Sequence, residues 1–417
     1  MTSDQEPRIR AGTVLIGDDV EFGPGVVIEA EQVVIGAGSR IGMSDDDDFR
    51  TPPGVVIRAR SLVLGERVGI GRAVRMDGGD LVLDDAVRIL RNSTIRVVDR
   101  LRIGAHGTVN ESCEIGGRQV EIGQELWMLP TAKIGGGSAY EVPSRLEIGH
   151  YAHLGMQTLV NTARPVVIGH EVGLGTRTAI YTHGAYPSRL QGFPVAFEGV
   201  EIGDFTWIPG ATINPGVRIG RNVVVGVNSL VTSSVPDGAL AIGSPAKVIR
   251  EGAFPRPLDE AGRSTFYRQF LERYATLIGS AAGVVAGPDG TLVLDAGEVV
   301  FAATTGDDGA SAVAALGGSG RLDGRRTVLV GMGAGSGDST ETWTTLDPAS
   351  RRIGGPADRH SERFVNELRR YGVRFYSRPR GDAYVDWLAE PPSFSGAPIV
   401  RSTRDGDSST SDLTSAR

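Results

Sequence analysis

The most unusual absence from this 417-residue sequence is lysine, since only Lys133 and Lys247 occur among its 43 basic residues. A lysine that falls inside a motif therefore carries more weight here than in most sequences. Cysteine is nearly absent as well, and the single Cys113 cannot form an intrachain disulfide. Its place within a regular pattern of aliphatic residues favours a small buried or corner residue over a nucleophile.

Long apolar runs and an excess of positive charge are also missing. The sequence contains no run of 18 apolar residues and no charged-then-apolar leader, so we expect neither a membrane span nor a secretory signal and predict a cytoplasmic protein. The formal net charge of −7 and a pI near 5.5 argue against nucleic acid as the main partner, because phosphate binding needs a concentrated basic surface. A chain of this length is expected to form two or three folded units.

What the sequence does contain is a six-residue repeat in which an aliphatic residue is followed by a small one, as at Ile103, Val109 and Ile115. Six is neither the helical period nor simple strand alternation. It indicates a short strand, a turn and another short strand, with one side chain per strand pointing into a common core. Three such units close a triangular coil, and the 59 glycines suit many tight corners.

Ten stacked coils are predicted between about Ile16 and Val231. Stacked strands lie roughly 4.8 Å apart, so the coils form a rod with two exposed edges, stabilised mostly by contacts between neighbouring coils. The predicted inward triplets are Ile16, Phe22, Ile28; Ile35, Ile41, Ile57; Leu64, Ile70, Met76; Leu83, Ile89, Ile95; Ile103, Val109, Ile115; Ile122, Met128, Ile134; Ile148, Leu154, Val160; Ile168, Leu174, Ile180; Ile202, Ile208, Ile213; and Ile219, Val225, Val231.

Three insertions interrupt the repeat, and each must leave the rod at a corner because the stacked strands cannot accept extra residues. Ser44–Gly54 leaves after a second strand, whereas Gly135–Glu147 and Tyr181–Glu201 both leave after a third strand. The coil between these two is slightly long at the same corner, where it contributes Asn161. We therefore expect the last two loops to overhang one edge of the rod and to carry function.

The segment Val200–Arg250 resembles the closing part of the hexapeptide-repeat acyltransferases that use acetyl-CoA. The resemblance covers about fifty residues and implies an all-β, left-handed parallel β-helix that assembles as a homotrimer, with the acetyl-CoA in the groove between rods. The implied reaction transfers an acetyl group to a hydroxyl of a sugar or similar small polar metabolite, and it requires no metal ion. The features that carry the resemblance are Trp207, Pro215-Gly216-Val217, Val225-Gly226, Val235-Pro236 and Gly243-Ser244-Pro245-Ala246-Lys247.

By the same resemblance, the pantetheine arm of acetyl-CoA lies along the corners of the last coils. Small corner residues would let backbone amides approach the arm, and cations would suit the phosphates at the nucleotide end. One interval, from Ile208 to Ile213, is a residue short of a hexad. The implied donor-binding residues are Trp207, Gly210, Ala211, Gly226, Val227, Ser244, Lys247 and Arg250.

The candidate general base is His183, which opens the longest corner insertion and matches the position of the family's catalytic histidine. Acyl transfer to a hydroxyl needs a group that removes the hydroxyl proton, and neutral imidazole titrates in the right range. Asn161 is the second catalytic candidate, because stacking brings its corner near His183, and its side chain or a backbone amide could stabilise the oxyanion. Within the long loop we name Tyr186 and Arg189 as candidate acceptor contacts.

Two other functions fit a β-helix. A gamma-type carbonic anhydrase shares the fold but needs three histidines on zinc, two of them five residues apart, and no histidine pair here has that spacing. A non-catalytic scaffold is the alternative from another class, because the early coils carry no recognisable chemistry.

The chain beyond Arg250 leaves the repeat. Glu260–Ile278 has aromatic and aliphatic residues at helical spacing, which predicts an amphipathic helix within a 251–282 linker that caps the last coil. Residues 283–400 predict a small α/β domain of unknown role, with a helix over Asp358–Tyr371. The glycines at 331–335 indicate a flexible loop, because no P-loop lysine follows. The remaining 1–15 and 401–417 are predicted to be an N-terminal segment and a disordered tail.

Overall fold

The computed structural model describes residues 6–43, 52–287, 290–306, 325–334, 342–380 and 383–386. The chain divides into two compact units, with the boundary between Pro257 and Leu258. The loop expected at 44–54 and the tail expected at 401–417 lie wholly or mostly outside the described residues. Among the described residues, no helix is long and apolar enough to cross a membrane.

The first unit is a parallel β-helix with three faces, which we number by the first, second and third strand of each coil. In the first half of the rod, one continuous strand runs through the corner from the third face to the first face of the next coil. These long strands are Arg8–Ile16, Val26–Ile35, Val55–Leu64, Arg75–Leu83, Thr94–Ile103 and Glu114–Ile122.

In the second half, that corner opens and the two faces have separate strands. The third-face strands are Lys133–Ile134, Leu159–Val160, Ala179–Ile180, Ala211–Ile213 and Ser229–Val231. The first-face strands are Arg145–Ile148, Val166–Ile168, Val200–Ile202 and Arg218–Ile219. The second-face strands run the length of the rod as Glu21–Phe22, Arg40–Ile41, Gly69–Ile70, Arg88–Ile89, Thr108–Val109, Trp127–Met128, His153–Leu154, Gly173–Leu174, Trp207–Ile208, Val224–Val225 and Leu240–Gly243.

The register stacks equivalent residues of the hexads directly on one another. On the first face Ile16 pairs with Ile35 and Ile35 with Leu64, and on the third face Val160 pairs with Ile180 and Ile180 with Ile213. From Val26 onward the stacked aliphatic side chains form one continuous buried core, whereas Ile16, predicted to point inward in the first coil, is 44% exposed. Burial of these side chains is the main stabilising contribution that the repeat makes.

Both ends of the rod differ from the sequence-based expectation. The strand Arg8–Ile16 pairs in parallel with Val26–Ile35, so most of the predicted N-terminal segment is part of the rod. At the other end, Leu240–Gly243 pairs with Val224–Val225, and Ala246–Arg250 turns back antiparallel on Leu240–Gly243. A β-hairpin therefore follows the last coil.

At one corner of the rod, hydrogen bonds join successive coils. In each, a backbone amide of one coil donates to a side chain of the next coil. Aspartate is the acceptor in several coils, for example where His170 N donates to Asp204 Oδ1 at 2.8 Å and Arg221 N to Asp237 Oδ1 at 2.8 Å. Two coils use histidine: Gln124 N donates to His150 Nδ1 and His150 N donates to His170 Nδ1, both at 3.0 Å. Because each Nδ1 accepts a hydrogen bond, both imidazoles must be neutral.

The second unit contains a six-stranded sheet whose strands follow chain order, with parallel pairing among the central three. The strands are Val284–Ala286, Leu292–Asp295, Val299–Ala303, Arg326–Val330, Trp343–Asp347 and Arg352–Gly354. The helices are α1, Glu260–Ile278, and α2, Arg359–Arg369, and a hairpin joins Ser377–Arg380 to Ala383–Asp386. The glycine-rich loop after Arg326–Val330 is held by Asp347, whose carboxylate accepts from Gly333 N at 3.0 Å.

The position of α1 corrects the predicted domain boundary. The rings of Phe270 and Tyr274 pack against Phe364, and Tyr274 also contacts Phe301, so the apolar face of α1 is part of the core of the second unit. That face is buried within the second unit, whereas the helical spacing in the sequence predicts that it covers the last coil. Helical spacing shows that a face is apolar but does not show which partner covers it.

Acidification is expected to destabilise the rod through His150. Burial, together with the neighbouring His170, lowers the pKa of His150 from 6.5 to about 4. The unfolded chain binds this proton more tightly, so the stabilising contribution is complete above about pH 6.5 and is lost as the pH falls towards 4. The melting temperature should therefore fall more steeply with acidification in the wild type than in His150→Asn, whose amide oxygen still accepts from Gln124 N.

The exposed His106, at a corner of an earlier coil, supplies the control substitution His106→Asn. This variant should keep the steep pH dependence of the wild type. If the melting temperatures of the wild type and His150→Asn fall equally with acidification, the assigned role of His150 is contradicted.

Candidate functional site

The corner that follows the third strand carries the predicted loops and the candidate base. His183–Gly184 forms a short antiparallel hairpin with Ala196–Phe197, in which His183 pairs with Phe197. The two rings stack at 5.9 Å between centroids and 15° between planes. The hairpin keeps His183 at the base of the loop, close to the rod.

Asn161 connects His183 to the rod and is itself only 3% exposed. Its Oδ1 lies 3.0 Å from His183 Nδ1 and accepts a 2.6 Å hydrogen bond from the hydroxyl of Thr182. Its Nδ2 donates to the carbonyl oxygens of Gly135 and Gly137, at 3.3 and 3.4 Å. These four contacts fix the amide orientation, so the proton of the neutral imidazole is on Nδ1 and Nε2 is available as a base.

This geometry changes what Asn161 can do. Both hydrogen-bonding directions of its Nδ2 are directed at backbone carbonyls, which leaves it poorly placed to bind an oxyanion. The side chain instead holds the tautomer and the ring orientation of His183. The structure thus brings the two predicted catalytic residues together, with Asn161 as a positioning residue.

Gly137 lies beside the free nitrogen of the imidazole. A Cβ atom at this position would lie 3.6 Å from His183 Nε2 and 3.7 Å from Cε1. The absence of a side chain at residue 137 therefore leaves open an approach to the candidate base.

A valine at residue 137 should shield the imidazole. A Cβ at residue 137 already lies 3.6 Å from His183 Nε2, and the two methyl groups of valine extend beyond it. We therefore expect Gly137→Val to slow the modification of His183 by diethyl pyrocarbonate several-fold. Mass spectrometry measures the rate of modification. Gly184→Val is the matched control, because nothing lies within 4 Å of a Cβ at residue 184. Equal rates of modification in the two variants would refute the placement of Gly137.

Three further residues at this corner have no signal in the sequence: Phe197, which contacts His183, and the pair Arg164 and Glu141 beyond it. The guanidinium carbon of Arg164 lies 4.6 Å from the centroid of the Phe197 ring, the same ring that stacks on His183. Arg164 Nη1 is 3.6 Å from Glu141 Oε2. Each residue comes from a different loop of this corner, and no local motif in the sequence marks any of them.

The predicted acceptor contacts lie elsewhere on the long loop. The side chain of Tyr186 is 100% exposed, and the exposed Arg189 donates to the Phe193 carbonyl at 3.4 Å. The structure therefore does not bring these two residues to His183.

The predicted donor-binding residues lie along a different edge of the rod. Trp207 is on the second face and is 56% exposed, and its ring lies over Gly173, where a Cβ would be 3.2 Å from the indole Cδ1. At the corner between the second and third faces, Gly210 has φ +140°, which explains how this coil closes with one residue fewer. At the same corner of the next coil, Val227 is 61% exposed.

The other donor-binding candidates continue along the same end of the rod. Ala211 is buried, whereas Ser244, Lys247 and Arg250 are exposed on the terminal hairpin. A Cβ at Gly226 would lie 2.9 Å from the side chain of Ile242, so glycine is required there for packing. Within one chain, the third face separates this edge from His183.

Reactive cysteines and clusters of metal-ligating side chains often mark other kinds of site, so both were sought in this chain. Cys113 is buried, and this burial raises the pKa of its thiol to about 11. Within the parts of the chain that the structure describes, no group of three or more His, Cys, Asp or Glu side chains could hold a metal ion.

Comparison with known proteins decides the family. The galactoside O-acetyltransferase of Escherichia coli is 31% identical over 144 residues, which are 32% of this chain and 70% of that protein. This chain belongs to the hexapeptide-repeat acetyltransferases. The predicted class, a coenzyme-A-dependent acyltransferase, is thereby confirmed.

The matches to other known acetyltransferases also cover only part of each protein. A Saccharomyces cerevisiae protein assigned to the acetyltransferases is 38% identical over 113 residues, which are 26% of this chain and 57% of the yeast protein. A solved galactoside acetyltransferase in complex with coenzyme A is 27% identical, with a TM-score of 0.28 over 31% of this chain and 64% of that one. No family model matches the sequence.

Proposed function

We propose that this protein transfers the acetyl group of acetyl-CoA to a hydroxyl of a saccharide, with His183 as the general base. The observation that carries the proposal is the 3.0 Å contact between Asn161 Oδ1 and His183 Nδ1, which leaves Nε2 free to accept a proton. The name of the Escherichia coli relative, a galactoside O-acetyltransferase, supports a sugar hydroxyl as acceptor.

The reaction needs one proton to be moved twice. His183 Nε2 removes the proton from the acceptor hydroxyl as its oxygen attacks the thioester carbonyl. When the tetrahedral intermediate collapses, the carbon–sulfur bond breaks and the imidazolium returns the proton to the departing thiolate. The products are the acetyl ester and coenzyme A, and Asn161 keeps the imidazole oriented through both transfers.

The donor is assigned to the edge that carries Trp207, Gly210, Ala211, Gly226 and Val227. The shortened corner at Gly210 and the exposed indole of Trp207 suit a long flexible arm, and the exposed cations at Lys247 and Arg250, near Ser244, suit the phosphates of the nucleotide.

The separation of these two edges supports a homotrimer with shared sites. His183 lies after the third strand of its coil, whereas the donor edge lies before the third strand, so one rod presents base and donor residues at different corners. We propose that the donor edge of one rod faces His183 of its neighbour, as closed cyclic symmetry allows.

Removal of the imidazole should abolish most of the activity without unfolding the chain. For His183→Ala we expect kcat for acetyl transfer to fall by about 10²- to 10⁴-fold, the usual contribution of a general base. Release of coenzyme A in the presence of a galactoside measures this, and circular dichroism checks the fold. His106→Asn serves as the control, and full activity of His183→Ala would exclude this residue as the base.

Mixing two inactive variants tests the shared site. Val227→Trp should block the donor edge with a bulky side chain at an exposed position, while its His183 stays intact. In trimers assembled randomly from equal amounts of Val227→Trp and His183→Ala chains, about a quarter of the sites combine a good base with a good donor edge. Co-expression should restore activity to that extent, whereas a site built from one chain would stay inactive.

A further inference from the structure

Arg164 and Glu141 form an ion pair next to the candidate base. Arg164 lies in the short corner after Asn161, and Glu141 lies in the loop between Ile134 and Arg145. The Phe197 ring contacts both the Arg164 guanidinium, at 4.6 Å, and the His183 imidazole, at 5.9 Å. The pair is therefore one aromatic ring away from the group that would activate an acceptor.

The guanidinium is held in place from the rod side. Arg164 Nη1 donates to the Ala163 carbonyl at 2.7 Å, and the backbone amide of Arg164 donates to the Thr182 hydroxyl at 3.1 Å. Thr182 in turn bonds Asn161, so the arginine and the base share one network of contacts. The Glu141 side chain is 54% exposed and the Arg164 side chain is 25% exposed, so both remain open to solvent.

The separation of the pair leaves room for a ligand atom. Arg164 Nη1 and Glu141 Oε2 are 3.6 Å apart, which is too long for a direct hydrogen bond. One hydroxyl oxygen can lie about 2.8 Å from both atoms, accepting from the guanidinium and donating to the carboxylate. An anionic ligand group would be repelled by Glu141, and a cationic one by Arg164.

We propose that the Arg164–Glu141 pair is an acceptor subsite that binds a hydroxyl of an uncharged sugar and discriminates against sugars that carry a carboxylate. This inference rests on the proposed function, since it places an acceptor beside His183. It also replaces Tyr186 and Arg189, which the structure leaves on the exposed part of the loop, as the principal acceptor contacts.

Opposite changes in charge preference test the subsite. The probes are methyl β-galactoside and the methyl glycoside of galacturonic acid, and the measured quantity is the ratio of kcat/KM for the uronate to kcat/KM for the galactoside. Glu141→Gln removes the repelling carboxylate, so the ratio should rise about tenfold; Arg164→Gln removes the attracting cation, so it should fall about tenfold. Both variants should raise KM for the galactoside with little change in kcat.

The rod supplies a matched control for this experiment. Arg60 and Asp80 form a 2.6 Å ion pair at the same corner in earlier coils, where no candidate base is present. Arg60→Gln and Asp80→Asn should leave the ratio unchanged. A ratio that stays constant in the Arg164 and Glu141 variants, or that moves in the same direction in both, would overturn the subsite, as would a wild-type preference for the uronate.

The failure of the subsite can be told apart from failure of the proposed function. If the wild type transfers acetyl to neither probe, the proposed function is contradicted for these acceptors. Saturation-transfer NMR of the two probes on the wild type and the two variants then measures the same preference as binding. Opposite shifts in binding would retain the subsite, and their absence would reject it.

Discussion

The parallel register between coils is the constraint on which the rest of this structure depends. Each inward aliphatic residue must stack on its equivalent in the next coil, as Ile180 stacks on Val160 and Ile213 on Ile180. A shift of one residue would turn the buried side chains outward. Extra residues can therefore leave only at corners, and side chains that face outward or lie in corners are free to vary.

That freedom explains where the candidate site lies. At the corner after the third strand, the early coils pass through in one continuous strand, while the later coils open into loops that carry Glu141, Arg164 and His183. Stacking brings residues about twenty positions apart into contact, so Asn161 reaches both Thr182 and His183. The same stacking uses His150 and His170 as acceptors for backbone amides, which gives these two histidines a structural role.

The rigidity of the rod also keeps the candidate base apart from the residues proposed to bind the acyl donor, although one active site must combine them. The proposed donor edge and His183 lie at different corners, and a stiff stack of short strands cannot fold back to bring them together. The proposed assembly resolves this by placing two edges from neighbouring chains opposite one another. In that arrangement the acceptor subsite at Arg164 would accompany the base, and the donor would come from the partner.

The sequence by itself determined the period of six, the inward residues and the corner that carries the insertions, because these depend on local alternation and on burial of aliphatic side chains. It also placed the corner of Asn161 within one coil spacing of His183, since stacking follows from the period. Only the tertiary structure brought Arg164, Glu141 and Phe197 together, because they meet across three loops with no fixed spacing. It likewise decided that α1 packs into the second unit and that Gly210 closes a shortened corner at φ +140°, since packing partners and backbone dihedrals depend on contacts that no periodicity encodes.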